Sequence, residues 1–157
     1  MATNPYASFV RSLDPLAEIR HTPSRIEAIL SRFSAEKVTA LPAPGKWSAR
    51  DILSHLADCE VVFAFRLRQA LAQDRHVIQP FDQDLWAKTY ANYDAQAALA
   101  VFRVVRQWNL ALIDGLKPVD FEKTLNHPER GDMKFRTVIE TLAGHDHNHL
   151  RQIEALV

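Results

Sequence analysis

Histidine is the residue this chain concentrates: three of its seven, His145, His147 and His149, fall within one short stretch near the C-terminus. In a helix each residue turns about 100° and rises about 1.5 Å, so His145 and His149 stand one above the other on a single face. His147 points nearly the opposite way. The shared face continues through Phe135, Val138 and Leu142 in one direction and through Ile153 and Leu156 in the other, which is an apolar seam. Two imidazoles one turn apart on a helix can share a divalent ion, which takes neutral nitrogen donors at about 2.0–2.1 Å. A third donor must come from another element.

His55 answers that need. It lies in the apolar stripe Ile52, His55, Leu56, Cys59, Phe63, Leu67, Ala70 and Leu71. Three imidazoles on core-facing stripes of two helices suit zinc, nickel or iron(II) better than the oxygen-seeking magnesium and calcium. They leave a coordination position open, as catalytic sites do. The bland reading is that each ring is a core histidine satisfied by one hydrogen bond. Three buried polar rings are costly without a shared partner, which favours the ion. Asp58, one turn after His55, could act as a base on a water at the ion, although a flanking carboxylate is the simpler reading. Asp146 could orient a ligand histidine or be solvated. His147 is expected at the surface. His21, His76 and His127 sit at helix ends or in loops, with His127 at most lining a pocket mouth. Cys59 reads as a buried, inert thiol.

The elements that must position these residues can be read from caps and spacing. Asn4-Pro5, Asp14-Pro15 and Thr22-Pro23 each pair a capping residue with a proline, which predicts a broken first helix restarting at Pro23. Its buried side is Leu16, Ile19, Ile26, Leu30 and Phe33. Leu41 to Lys46 is a proline- and glycine-punctuated loop. Ser48 with Asp51 marks a sharp helix start, and that helix runs to about Gln73, with Glu60, Arg66 and Arg68 on a solvated or flanking face. A short helix from Asp84 to about Tyr90 is expected in the aromatic stretch around Phe81 and Trp86. Asp94 caps a long helix ending near Leu116, with Leu99, Phe102, Val105, Leu110 and Ile113 as its apolar side. Lys117 to Lys134 reads as a turn-rich loop, and a last helix runs from about Phe135 to Leu156. Four long helices joined by loops long enough to permit crossovers predict an all-α, antiparallel bundle.

Length and composition bound the rest. The 157 residues suit a single domain spanning 1–157, and 47% hydrophobic with 24% charged residues is ordinary globular composition. Nineteen basic residues balance nineteen acidic ones, which gives no global attraction to nucleic acid or to an anionic membrane. One cysteine excludes an internal disulfide and a CxxC motif. No apolar run approaches a membrane span, and the Met1-to-Tyr6 terminus lacks the regions of a signal peptide, so a cytoplasmic protein is expected.

Taken together, Trp47-Ser48, Asp51-Ile52-Leu53, His55-Leu56, Asp58 and Glu60, then Phe65-Arg66-Leu67-Arg68, then Gly144-His145-Asp146, His149-Leu150 and Gln152-Ile153 resemble the DinB/YfiT-like metalloenzyme family. Thr22-Pro23, Pro42 with Gly45-Lys46, and Phe81-Asp82 with Trp86 fit the same pattern, so the resemblance covers nearly the whole chain. Lys134 departs from it, standing where a threonine cap is expected. The resemblance implies a DinB-like four-helix bundle with crossover connections and a divalent metal, zinc or nickel, on His55, His145 and His149. It also implies a thiol-dependent S-transferase or a hydrolase acting on a small molecule, with a low-molecular-weight thiol as one candidate partner. The aromatic loop around Phe81, Trp86 and Tyr90 is expected to select the substrate. A homodimer is compatible with all of this. The competing expectation is a non-catalytic metal-binding or stress-response bundle in which the ion staples helices.

Overall fold

Three of the four long helices begin where a capping side chain closes a backbone N–H, in a computed structural model that describes residues 4–157. Met1, Ala2 and Thr3, part of the terminus read above for a leader, lie outside the described residues. Helix α1 (Ala7–Val10) is one turn long. Asp14 caps α2 (Pro15–Leu30), and Ser34 caps the short α3 (Ala35–Thr39). Ser48 and Asp51 close a reciprocal capping box at the start of α4 (Ala49–Ala72). After α5 (Gln83–Ala87) and a 3₁₀ turn at Tyr90–Asn92, Asp94 caps α6 (Ala95–Asp114). A second 3₁₀ turn at Pro118–Glu122 leads into strands β1 (Thr124–His127) and β2 (Gly131–Lys134), then α7 (Phe135–Glu154). No helix is long and apolar enough to cross a membrane among the described residues.

The four long helices α2, α4, α6 and α7 form a bundle. α4 packs on α6 and α7, and α2 packs on α7 and α6. Consecutive helices α2 and α4 therefore face each other across the bundle, as do α6 and α7, so the connections between them are the expected crossovers. Two apolar clusters fill the interior, one around Ile19, Phe63, Leu67, Ile113 and Leu142, the other around Ile26, Leu53, Phe102, Leu150 and Ile153. In all four helices the residues between these clusters include polar ones, and there the functional candidates gather.

Three local expectations are corrected. The first helix is not broken at Pro23, because α2 runs through it. Proline has no N–H to give the carbonyl four residues back, which is that of Ile19. That carbonyl instead accepts a 2.8 Å hydrogen bond from Arg106 Nη1, so the missing helical bond is replaced from α6. The segment from Lys117 to Lys134 is not a plain loop: β1 and β2 pair antiparallel, with Leu125 opposite Met133 and His127 opposite Gly131, and Leu125, His127 and Met133 turn inward. Only Gly131, at φ +80°, is glycine for a backbone reason there. Glu60 is not on a solvated face. It is buried, and its carboxylate takes two bonds from Arg106. Arg66 and Arg68 are half-buried. Lys134 occupies the cap position of α7 without a side-chain bond, yet the helix begins at Phe135 as read.

Candidate metal centre

The α4 stripe and the α7 seam meet at their histidines. Ring centroids stand 5.0 Å apart for His55 and His145, 4.7 Å for His55 and His149, and 4.5 Å for His145 and His149. All three rings are at least 95% removed from solvent. Nε2 of His55 lies 3.0 Å from Nε2 of His145. Two nitrogens each about 2.0–2.1 Å from one ion, in adjacent coordination positions, stand about 3 Å apart.

The other ring nitrogens fix which atoms are free. His149 Nδ1 lies 2.8 Å from Gln152 Oε1, an acceptor only, so Nδ1 carries the proton and Nε2 keeps its lone pair. His55 Nδ1 lies 3.4 Å from the Tyr90 hydroxyl, which can receive its proton and leave Nε2 free in the same way. His145 Nδ1 is buried without a partner among the described residues. Burial, then the neighbouring His149, drives the His55 pKa down to about 3. Burial together with His149 and His55 holds His145 well below its ordinary value, and burial lowers His149 despite Gln152 and Asp146. The rings are neutral near pH 7, the state in which imidazole binds a cation. Lone pairs of two neutral rings facing each other at 3.0 Å repel unless a proton or a cation lies between them. The neutral rings and the 3.0 Å spacing of the His55 and His145 nitrogens fit a divalent ion. His149 is brought to the same place by its ring and is not in the group of donor atoms within 4.8 Å of one another.

Cys59 adds a donor that sequence reasoning set aside. Its Sγ lies 3.5 Å from His55 Nε2, and the donor atoms of His55, Cys59 and His145 all fall within 4.8 Å of one another. Burial pushes the thiol pKa up, so without a cation it stays protonated. Asp58 is half-buried, and burial raises its pKa, with a hydrogen bond to the Tyr90 hydroxyl partly offsetting this. It sits beside the site and not among the converging nitrogens.

Asp146 does not orient a ligand histidine by hydrogen bonding. It is buried against Arg106, with Nη1 to Oδ2 at 2.6 Å and Nη2 to Oδ1 at 3.1 Å. Arg106, fully buried, also pairs with Glu60 at 2.7 Å, and Asn109 Nδ2 donates to Glu60 at 2.8 Å. Burial works against the Arg106 charge, and the two carboxylates override it, so its pKa is raised. This network joins α2, α4, α6 and α7 directly beneath His145. Sequence reading missed it because an arginine inside the apolar stripe of α6 has no signature of its own. The one available signal was Pro23, which demands a donor for the Ile19 carbonyl. His147 is half-buried, 3.7 Å from Glu18, instead of lying free on the surface.

The N-terminal segment and the loop before α4 close the site. Trp47 lies 4.9 Å from the His55 ring and stacks near-parallel over His149 at 6.3 Å. Tyr6 meets His145 edge-on at 5.5 Å. It can do so because residue 144 is glycine: a Cβ there would fall 2.5 Å from Tyr6 Cβ and 2.9 Å from its carbonyl oxygen. A cavity of about 540 Å³ opens on this side, bounded by Tyr6, Lys46, Trp47, Gln83, His149 and Gln152 among others. Of the aromatic loop, only Tyr90 reaches the histidines; Phe81 and Trp86 pack on each other at 4.8 Å and do not border this cavity.

A sequence model described as the DinB superfamily matches residues 18–153. The chain belongs to the DinB superfamily. Among relatives, a protein of Oceanobacillus iheyensis named "Putative metal-dependent hydrolase" is 29% identical over 140 residues, covering 88% of this chain and 81% of that one. One of Bacillus mycoides with the same form of name is 24% identical over 142 residues, covering 90% and 82%. Among solved structures, YfiT from Bacillus subtilis, described as a probable metal-dependent hydrolase with an unusual four-helix bundle topology, superposes with a TM-score of 0.83 at 20% identity, covering 90% of this chain and 83% of that one. This DinB chain thus has the YfiT-like bundle, and its three core histidines stand where two of the long helices converge.

Proposed function

We propose that this protein is a divalent-metal-dependent enzyme acting on a small molecule, with His55, His145 and His149 as ligands and hydrolysis as its reaction. The supporting observation is the pair of neutral, buried imidazoles with Nε2 atoms 3.0 Å apart, beside a third ring that also borders a 540 Å³ cavity. The relatives named as metal-dependent hydrolases support the reaction class. Zinc or nickel suits the nitrogen donors best, with iron or manganese next. A divalent ion there supplies Lewis acidity, lowering the pKa of a water and polarising a carbonyl.

The chain's own residues perform the remaining tasks. Gln152 and Tyr90 hold the Nδ1 protons of His149 and His55, which keeps the opposite nitrogens pointed inward. Trp47 walls the rings from solvent and presents an aromatic face to the cavity. Asp58, with its raised pKa and its place beside Tyr90, is the nearby carboxylate available to exchange a proton with a bound molecule. The thiol S-transferase reading uses the same cavity for a low-molecular-weight thiol. Cobalt-substituted protein distinguishes the two: a spectral change with small thiols, and no hydrolysis of ester or amide panels, selects the transferase.

A second reading rests on Cys59. With its Sγ 3.5 Å from His55 Nε2, the thiol offers a fourth donor, and a closed four-ligand site would be a structural staple. X-ray absorption on metal-loaded protein decides this. A sulfur scatterer in the ligand shell selects the staple, and a nitrogen and oxygen shell supports the open, catalytic site.

A further inference from the structure

Beyond the histidine centre, we propose that Arg66, Arg130, His127 and Thr141 form a binding site for one oxygen of a small anion, a carboxylate or a phosphate. These side chains border a separate cavity of about 20 Å³ floored by Phe63 and Val138. That is room for about one oxygen atom, since a water needs roughly 10–15 Å³ on the same measure.

The physical case begins with charge. Arg66 is half-buried on α4, and its guanidinium lies over the rings of Phe63 and Phe81 at 5.9 and 5.8 Å. Its Nη2 donates to the Gln79 carbonyl at 3.0 Å, but its Nε is buried with no partner among the described residues. Arg130, at the end of the β1–β2 turn, borders the same cavity. Neither guanidinium forms an ion pair among the described residues. The two act on each other: burial lowers the Arg66 pKa, Cys59 works against it, and Arg130 lowers it further. Elsewhere in this core a buried guanidinium is met by carboxylates, as Arg106 is by Glu60 and Asp146.

His127 does not supply the missing counter-charge. Its Nδ1 accepts from the Glu129 N–H at 3.2 Å, and burial with both arginines lowers its pKa, so it is a neutral ring. Glu129 acts on His127 from an exposed position and pairs with neither arginine. The Thr141 hydroxyl donates to the Thr137 carbonyl at 2.7 Å. A water could bond to Arg66 Nε, but it would leave two cations bordering one small cavity with no counter-charge among the described residues. An anionic oxygen satisfies the donor and offsets both charges. The site does not depend on the histidines holding a metal, although Phe63 joins the two, its ring 6.3 Å from that of His145.

The test uses the whole chain, metal-free and metal-loaded, titrated with sodium acetate and separately with sodium phosphate at constant ionic strength. The readout is the ¹H–¹⁵N resonance of Arg66 Nε, together with calorimetric affinity. A saturable shift of that resonance with either anion is expected, and acetate alone or phosphate alone identifies the chemistry. Arg130→Gln, whose side chain donates no hydrogen bond among the described residues, should weaken binding about tenfold or more while leaving metal content unchanged. Arg66→Lys should fold, retain the positive charge and lose the Nε contact, also weakening binding. An Arg66 resonance unmoved by both anions, or unchanged affinity in Arg130→Gln, overturns the proposal.

Discussion

At the scale of single residues, the centre turns on which atoms are left as donors. Replacing His149 with alanine should remove most bound metal, measured by elemental analysis of untagged protein, whereas Cys59→Ser should retain it; the opposite pattern would assign the third ligand to sulfur. Burial of neutral rings also sets a pH dependence. In the unfolded chain a histidine takes its proton near pH 6.5, while folded His55 does so only near 3 and His145 and His149 are shifted the same way. The unfolded state therefore binds more protons below pH 6.5, and these histidines' contribution to stability, fully present above it, is lost as pH falls toward the folded values. Metal-free protein should lose up to about 1.4 kcal/mol per pH unit for each such histidine below pH 6.5, read from urea midpoints. Metal affinity of the folded protein should hold just below pH 6.5 and decline only as pH falls toward the lowered folded values, because a protonated imidazole cannot ligate. The rings were legible as candidates because helical phase places His55, His145 and His149 on apolar faces. Cys59 shares that stripe, but nothing in its spacing tells an inert thiol from a donor.

At the scale of elements, two contacts join pieces of chain that local pattern could not connect. Gly144 lets the segment around Tyr6 lie against α7, and Gly144→Ala has no room for its methyl group. That substitution should cost about 1–3 kcal/mol and displace Tyr6 from His145, visible as a changed His145 ring resonance with the α7 helix intact. The Arg106 network ties four helices. Arg106→Met alone leaves Glu60 and Asp146 buried and unpaired, and should destabilise by about 3–5 kcal/mol in thermal unfolding. Replacing Arg106, Glu60 and Asp146 together with apolar residues of similar volume should recover most of that loss. Helix starts at Ser48 and Asp94 were readable because a cap bonds within three residues of itself. The hairpin was not, because each strand is only four residues long and its pairing is with the other strand.

At the scale of the whole molecule, an ion on His55 and the two α7 histidines would staple α4 to α7 and bind the folded state alone. Metal at a hundredfold excess over its dissociation constant should add about 2.7 kcal/mol, reversed by a chelator and absent in His55→Ala; equal melting curves with and without metal would argue against the centre. What the sequence by itself determined is the helical class, the main helix starts and the apolar faces, because capping and 3.6-residue periodicity act between residues close along the chain. Only the tertiary structure decided that α2 runs through Pro23, since the donor that replaces its missing bond comes from α6. The same holds for the burial of Glu60 beside Arg106, the approach of Cys59 to His55, the cover given by Trp47 and Tyr6, and the placing of Arg66 and Arg130 on one small cavity. Each of these depends on which helices become neighbours, and that is set by the packing of all four at once.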